Sequence, residues 1–283
     1  MKRKSFQTIL VAAGTVALFF TAGCNKLRSR DQLNQGVRAF KSARYPDAVE
    51  HFKTAIQLDP SNRDPKLFLA TAYMTQWIPG ADSPENRQMA DAAKNEFLDV
   101  LKDSPNDKTA LASLASIAYN EAQGLPPEEK AKKFDEAAEW NKKLIAADPN
   151  YKEAYYTLGV IAWAKWYPAL MSARAKLGMK PEDPGPIKDK KVKAELKEQY
   201  SGIIDEGIQN LQKAIDIDKE YDDAMAYMNL LIRERADLAD NTEEYKKQIE
   251  VADGWVQKAL DTKKAKAART SSGSVGITTD TQK

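Results

Sequence analysis

The sequence predicts an all-α protein, a right-handed α-solenoid of about five antiparallel helix pairs with enlarged turns inside the pairs. Three observations carry this. One spacing of small and apolar residues recurs along the chain, a helix-ending residue closes most copies, and the composition favours helices with charged outer faces. Hydrophobic residues make up 42% of the 283 and charged ones 30%, a balance that suits an elongated array with much surface for its core.

The first copy lies between Ser29 and Asn62. Gly36 is followed twelve residues later by Ala48, and Phe52, Ala55 and Pro60 come next. The pattern returns as Ala93, Phe97, Val100 and Pro105, then as Ala137, Asn141, Leu144 and Pro149. A fourth copy reads Gly207, Leu211, Ala214 and Lys219, with lysine in the proline's place. Ala252, Val256 and Ala259 form a fifth. The helix that opens each pair repeats too: Leu69-Ala70 with Tyr73, Leu114-Ala115 with Ala118, Leu158-Gly159 with Ala162, and Met228-Asn229 with Ile232. Small residues let antiparallel helices approach, and Phe52, Phe97 and Leu211 fill the space between pairs. Proline ends the second helix because it has no amide hydrogen to donate.

The later copies are longer inside the pair. The small residue of the first helix precedes that of the second by 23 (Ala70 to Ala93), 22 (Ala115 to Ala137), 48 (Gly159 to Gly207) and 23 (Asn229 to Ala252). Three inserts, 77–89, 123–133 and 236–246, read as short loops or helix extensions. The long one, 165–200, contains Pro168, the run KPEDPGP and then IKDKKVKAELKEQY. It reads as an extended first helix, a proline-rich loop and a lengthened second helix. All the inserts fall on one edge of the expected array, and that edge is as good a candidate for specificity as a groove.

These residues resemble the tetratricopeptide repeat family across 29–261, as repeats of about 29–62, 63–107, 108–151, 152–221 and 222–261. The resemblance implies a protein-binding module whose first helices line a concave groove. The residues it places there are Leu33, Val37, Phe40, Leu67, Thr71, Met74, Ala112, Ser116, Tyr119, Tyr156, Val160 and Trp163. Thr71, Ser116 and Val160 stand where the family's carboxylate-clamping form has asparagine, so that clamp is not expected. An apolar, aromatic groove suits a peptide segment, while the same stripe at helical spacing also fits ordinary core packing.

The N-terminus carries a second message. Lys2, Arg3 and Lys4 precede an apolar run from Ile9 to Phe20, then Thr21-Ala22-Gly23-Cys24. A basic start followed by a short apolar run reads as an export signal. The chain's one cysteine sits directly behind it, so no intramolecular disulfide is expected. This resembles a bacterial lipoprotein signal, although Thr21 stands where such signals carry leucine. The resemblance implies a signal peptide at 1–23, lipid on Cys24 and a linker at 24–28. Asn25 then favours the outer membrane and a periplasm-facing protein. Ordinary cleavage near Gly23 (a soluble periplasmic protein) and an uncleaved anchor are the other readings. The tail, 262–283, lacks apolar periodicity and is expected to be disordered.

Charge and residue counts narrow the chemistry. The formal net charge is +2. Without the three N-terminal and five C-terminal basic residues and Asp280, the middle of the chain is acidic by about five charges. That is not the basic footprint of a nucleic-acid binder. His51 is the one histidine and falls mid-helix, so neither a His-centred triad nor a multi-histidine metal site is expected. Acidic pairs such as Glu128-Glu129 and Glu243-Glu244 fall at helix starts, where carboxylates complement the dipole. No cofactor, metal or catalytic residue is expected. The sequence thus reads as an envelope scaffold for protein or peptide partners. An assembly-factor lipoprotein, of β-barrel or pilus-secretin type, is the alternative, and a cell-wall hydrolase the reading from a different class.

Overall fold

The structure, a computed structural model, describes residues 24–273. The expected signal peptide and the last ten residues lie outside them. The described chain is helical, with no strand, and divides into two compact units between Trp140 and Asn141. The first unit contains α1 (residues 24–41), α2 (Tyr45–Leu58), α3 (Arg63–Gln76), α4 (Pro84–Asp103) and α5 (Lys108–Ala122). The helix α6 (Pro127–Ala147) runs through the division. The second unit contains α7 (Lys152–Lys176), α8 (Lys190–Ile217), α9 (Asp222–Arg235), a 3-10 turn (Ala236–Leu238) and α10 (Thr242–Gly273).

Two kinds of joint alternate along the chain. The connections from one pair to the next are all four residues long: 59–62, 104–107, 148–151 and 218–221. Each is built alike. The amides of Asp59, Ser104, Asp148 and Asp218 cap the preceding helix by donating to the carbonyls of Ala55, Val100, Leu144 and Ala214. Three residues on, Asn62, Asp107, Tyr151 and Tyr221 donate back to those same four capping residues. The turn with Lys219 matches the three with proline, because the bonds fall on either side of that position and its own amide is not needed.

The connections inside pairs differ in length and in how they are held. The first, 42–44, closes a Schellman motif in which Arg44 donates to the Ala39 carbonyl and Ala43 adopts φ 56°. In the second, 77–83, the Asn86 side chain bonds the amide and carbonyl of Ile78 and the carbonyl of Ala81. The connection 177–189 opens with a second Schellman motif, Met179 to the Arg174 carbonyl, with Gly178 at φ 69°. At the last, Asn241 accepts from the Glu244 amide while the Glu244 carboxylate accepts from the Asp240 amide. The Asp240–Glu244 acidic run is therefore a helix cap.

In the first unit one core cluster joins Ala39, Ala48, Phe52, Leu69 and Ala72, and another joins Ala70, Ala93, Phe97, Val100, Leu114 and Ile117. In the second, Trp166, Leu170, Ile204, Leu211, Met228 and Leu231 form the centre. The small positions do what their spacing implies. A methyl on Gly36 would meet the Phe52 ring at 2.5 Å, and one on Gly207 would meet the Ala162 methyl at 2.5 Å.

Two expectations need correction. The long insert is not a free edge. Trp166, Leu170, Arg174, Ile187 and Leu196 are all buried, so much of 165–200 packs inside its own unit. The tail is not disordered from 262 either: α10 continues to Gly273. The segment lacks an apolar stripe, but Lys266 pairs with Asp222 and Arg269 with Glu220, which ties it to the start of α9.

Candidate protein-binding face

The expected groove residues lie on the helices that open the pairs. In the first unit, Leu33, Val37 and Phe40 on α1 are half-buried against the Phe52 cluster. Leu67 and Met74 on α3 pack against the Phe97 cluster, and the Thr71 hydroxyl donates to the Leu67 carbonyl at 2.7 Å. On α5, Ala112 and Ser116 are half-buried. Tyr119 lies 5.6 Å, ring to ring, from buried Phe134 of α6. Leu33, Val37, Phe40, Leu67, Met74 and Tyr119 thus pack against neighbouring helices, while the Thr71 bond stays within α3.

His51 has a structural place too. Its Nδ1 donates to Gln32 Oε1 at 2.8 Å, which links α2 to α1.

The second unit differs. Tyr156, Val160, Trp163 and Tyr167 follow one another along one face of α7 at helical spacing. Val160 is 5% exposed and belongs to the core, so it is not a groove contact. The others are half-buried, and Tyr156 and Trp163 meet rings on α9 or at its start. Trp163 stacks on Tyr167 with centroids 5.0 Å apart and planes at 18°, and sits edge-on to Tyr227 at 5.6 Å. Tyr156 is edge-on to Tyr227 at 5.6 Å and lies 5.1 Å from Tyr221. Five aromatic rings thus form one continuous layer across α7 and α9.

One carboxylate is set into this layer. The Trp163 indole N–H donates to Glu234 Oε1 at 3.0 Å. The other oxygen, Oε2, is buried and meets no donor. Burial, with Asp237 nearby, pushes the Glu234 carboxyl up to about 7, against the opposing pull of the indole bond. Sequence reasoning missed Tyr167, Tyr221, Tyr227 and Glu234. Tyr167 continues the α7 stripe by four residues and was within reach. Tyr227 and Glu234 are seven apart on α9 and face α7 from the next pair, a pairing that spacing alone does not reveal.

Among the described residues no group of three His, Cys, Asp or Glu side chains could hold a metal ion, and no helix is long and apolar enough to cross a membrane. Cys24 is exposed at the start of the described chain.

No family model matches the sequence, and no curated protein does either. Solved structures do match in shape. A crystal structure of MamA aligns with a TM-score of 0.51 at 16% identity, over 85% of this chain and 94% of that one. MamA from Desulfovibrio magneticus RS-1 aligns with a TM-score of 0.50 at 17% identity, over 84% and 96%. A thermophilic TPR protein of Thermus thermophilus aligns over 85% and 97% at 14% identity, with a TM-score of 0.43. The fold is a tetratricopeptide-type array of helix pairs.

Proposed function

We propose that this chain is a non-catalytic scaffold that holds protein or peptide segments in the bacterial envelope. In this reading Cys24 carries lipid, the outer membrane holds the anchor, and the repeats face the periplasm. The observation that carries the binding role is the aromatic layer of α7 and α9, whose rings are only half-buried. Tyrosine and tryptophan offer large contact area at low entropic cost, which is why they concentrate at protein interfaces. The anchoring role rests on the basic, apolar and small-residue order that ends at Cys24.

Each half has its own test. Affinity capture from detergent-solubilised envelope, with wild type and a Trp163→Ala/Tyr227→Ala variant, reads the binding face. Partners lost from the variant, with unit stability intact by circular dichroism, support it, and an unchanged set of partners sinks it. A barrel protein or a secretin among them would narrow the scaffold to an assembly factor. For the anchor, Cys24→Ala is expected to abolish incorporation of labelled palmitate and release the protein from membranes. Label persisting in that variant overturns lipidation at Cys24.

A further inference from the structure

The Glu234 carboxylate has no cation of its own. Trp163 reaches one oxygen, and no donor reaches the other. The neighbouring bases are committed elsewhere: Arg233 bonds Asn229 and Asp253, and Arg235 bonds Gln248 and Asp205. A buried carboxylate is normally paired or neutralised, because desolvating a lone charge costs several kcal/mol. The border of the layer carries acids as well. Glu153 and Asp223 are exposed beside Tyr221 and Tyr227. At the edge of the same layer the Lys152 ammonium, ion-paired with Asp218 at 2.6 Å, also lies 5.0 Å from the Tyr221 ring centroid.

From this we infer that the α7–α9 face recognises a lysine or arginine side chain presented by a partner segment. The rings of Trp163, Tyr167 and Tyr227 form the seat, and Glu234 supplies negative charge from the edge of the indole. The inference rests on the scaffold reading and names the chemistry of the partner. The Glu234 oxygen is closed from solvent, so the cation lies on the ring faces and feels the carboxylate through the protein. Screening along that path is weaker than through water. The indole N–H bond to the carboxylate also raises electron density in the Trp163 ring, which strengthens the face a cation meets.

The test is calorimetric titration of the full-length protein in detergent, at about pH 8, where Glu234 is ionised, and about 150 mM salt to suppress long-range attraction. The probes are short capped peptides of arginine, lysine, norleucine or glutamate. The arginine and lysine peptides are expected to bind and the other two not. Glu234→Gln keeps the shape and the indole acceptor, and should weaken the arginine peptide about tenfold. Trp163→Leu should lose it altogether. Equal arginine-peptide affinity in wild type and Glu234→Gln would overturn the proposal, as would a preference for norleucine or glutamate. The scaffold reading fails or stands separately. Envelope partners captured equally by wild type and Glu234→Gln leave a scaffold without this site. Peptide binding of the expected pattern with no captured partner leaves the site without the scaffold.

Discussion

Removing the guanidinium of Arg174 should cost the second unit more than any other single charge deletion described above. Arg174 sits near the end of α7 and its Nη1 lies 2.5 Å from Asp237 Oδ2, with the two side chains 4% and 7% exposed. Its Nη2 also donates to the Lys180 carbonyl at 2.8 Å and to the Asp183 carbonyl. From the other side, the Ile187 amide donates to the Asp237 carbonyl at 2.9 Å. The pair therefore fastens the 177–189 connection to the turn after α9. Breaking a buried pair from one side costs about 3–5 kcal/mol, because the surviving charge stays desolvated. At about 2 kcal/mol per molar urea, the unfolding midpoint of Arg174→Ala should fall by about 1.5–2.5 M.

The pH dependence identifies the cause. Burial already pushes the Asp237 carboxyl up, against the pull of Arg174. Without Arg174 it rises further and can take a proton, so the loss should be smaller at about pH 5 than at about pH 8. Asp237→Asn strands a guanidinium that cannot deprotonate in this range and removes the raised carboxyl that makes wild type less stable as pH rises, so its loss should shrink, not grow, from about pH 5 to about pH 8. Urea unfolding followed through tryptophan emission, with proteolysis at 177–189 as a second probe, reads both. A shift below about 0.3 M for Arg174→Ala, or one that is the same at both pH values, would refute the reasoning.

Three further outcomes follow from the packing and titration described above. Glu234 has a folded value raised from about 4.5 to about 7. Between those limits the folded protein keeps a proton that the unfolded chain releases, so stability falls as pH rises through that window, by a few kcal/mol at most. Glu234→Gln should therefore melt above wild type at pH 8 and match it near pH 4.5; parity at pH 8 would contradict this. Gly207→Ala brings a methyl against the Ala162 methyl, which is fixed to the α7 backbone, and should cost about 1–3 kcal/mol. Gly202→Ala on the same helix meets open space and should instead gain up to about 1 kcal/mol, so chemical denaturation of the two gives opposite signs. Ala43→Gly removes the strain of φ 56° and should raise stability by about 0.5–1 kcal/mol in the same assay.

The spacing of small residues and helix enders made the helix pairs legible, because those positions report where backbones approach and where they stop. Gly36, Gly207, Phe52, Phe97 and Leu211 are all where the pattern puts packing residues. The reach of α10 was not legible. Residues 262–273 are held by Lys266 and Arg269 against Asp222 and Glu220, and ion pairs between distant segments leave no periodic trace. The candidate site was half legible. Tyr156 and Trp163 lie on the α7 stripe, but Glu234 is 71 residues from Trp163 and reads as one more charge on a charged helix. Tyr119 was legible as aromatic and not as covered, since Phe134 belongs to the next helix.

The two kinds of joint give the chain a grammar for change. A residue added within 59–62, 104–107, 148–151 or 218–221 breaks a pair of bonds that is repeated four times, and a slip of one residue in the adjoining helix turns its face by about 100°. A residue added within 123–126 lengthens a loop whose two helices already meet through Tyr119 and Phe134. Doubling such a loop costs only about 0.6 kcal/mol in closure entropy. New material, whether by evolution or by grafting, can therefore enter this protein at that joint without disturbing the order of the pairs.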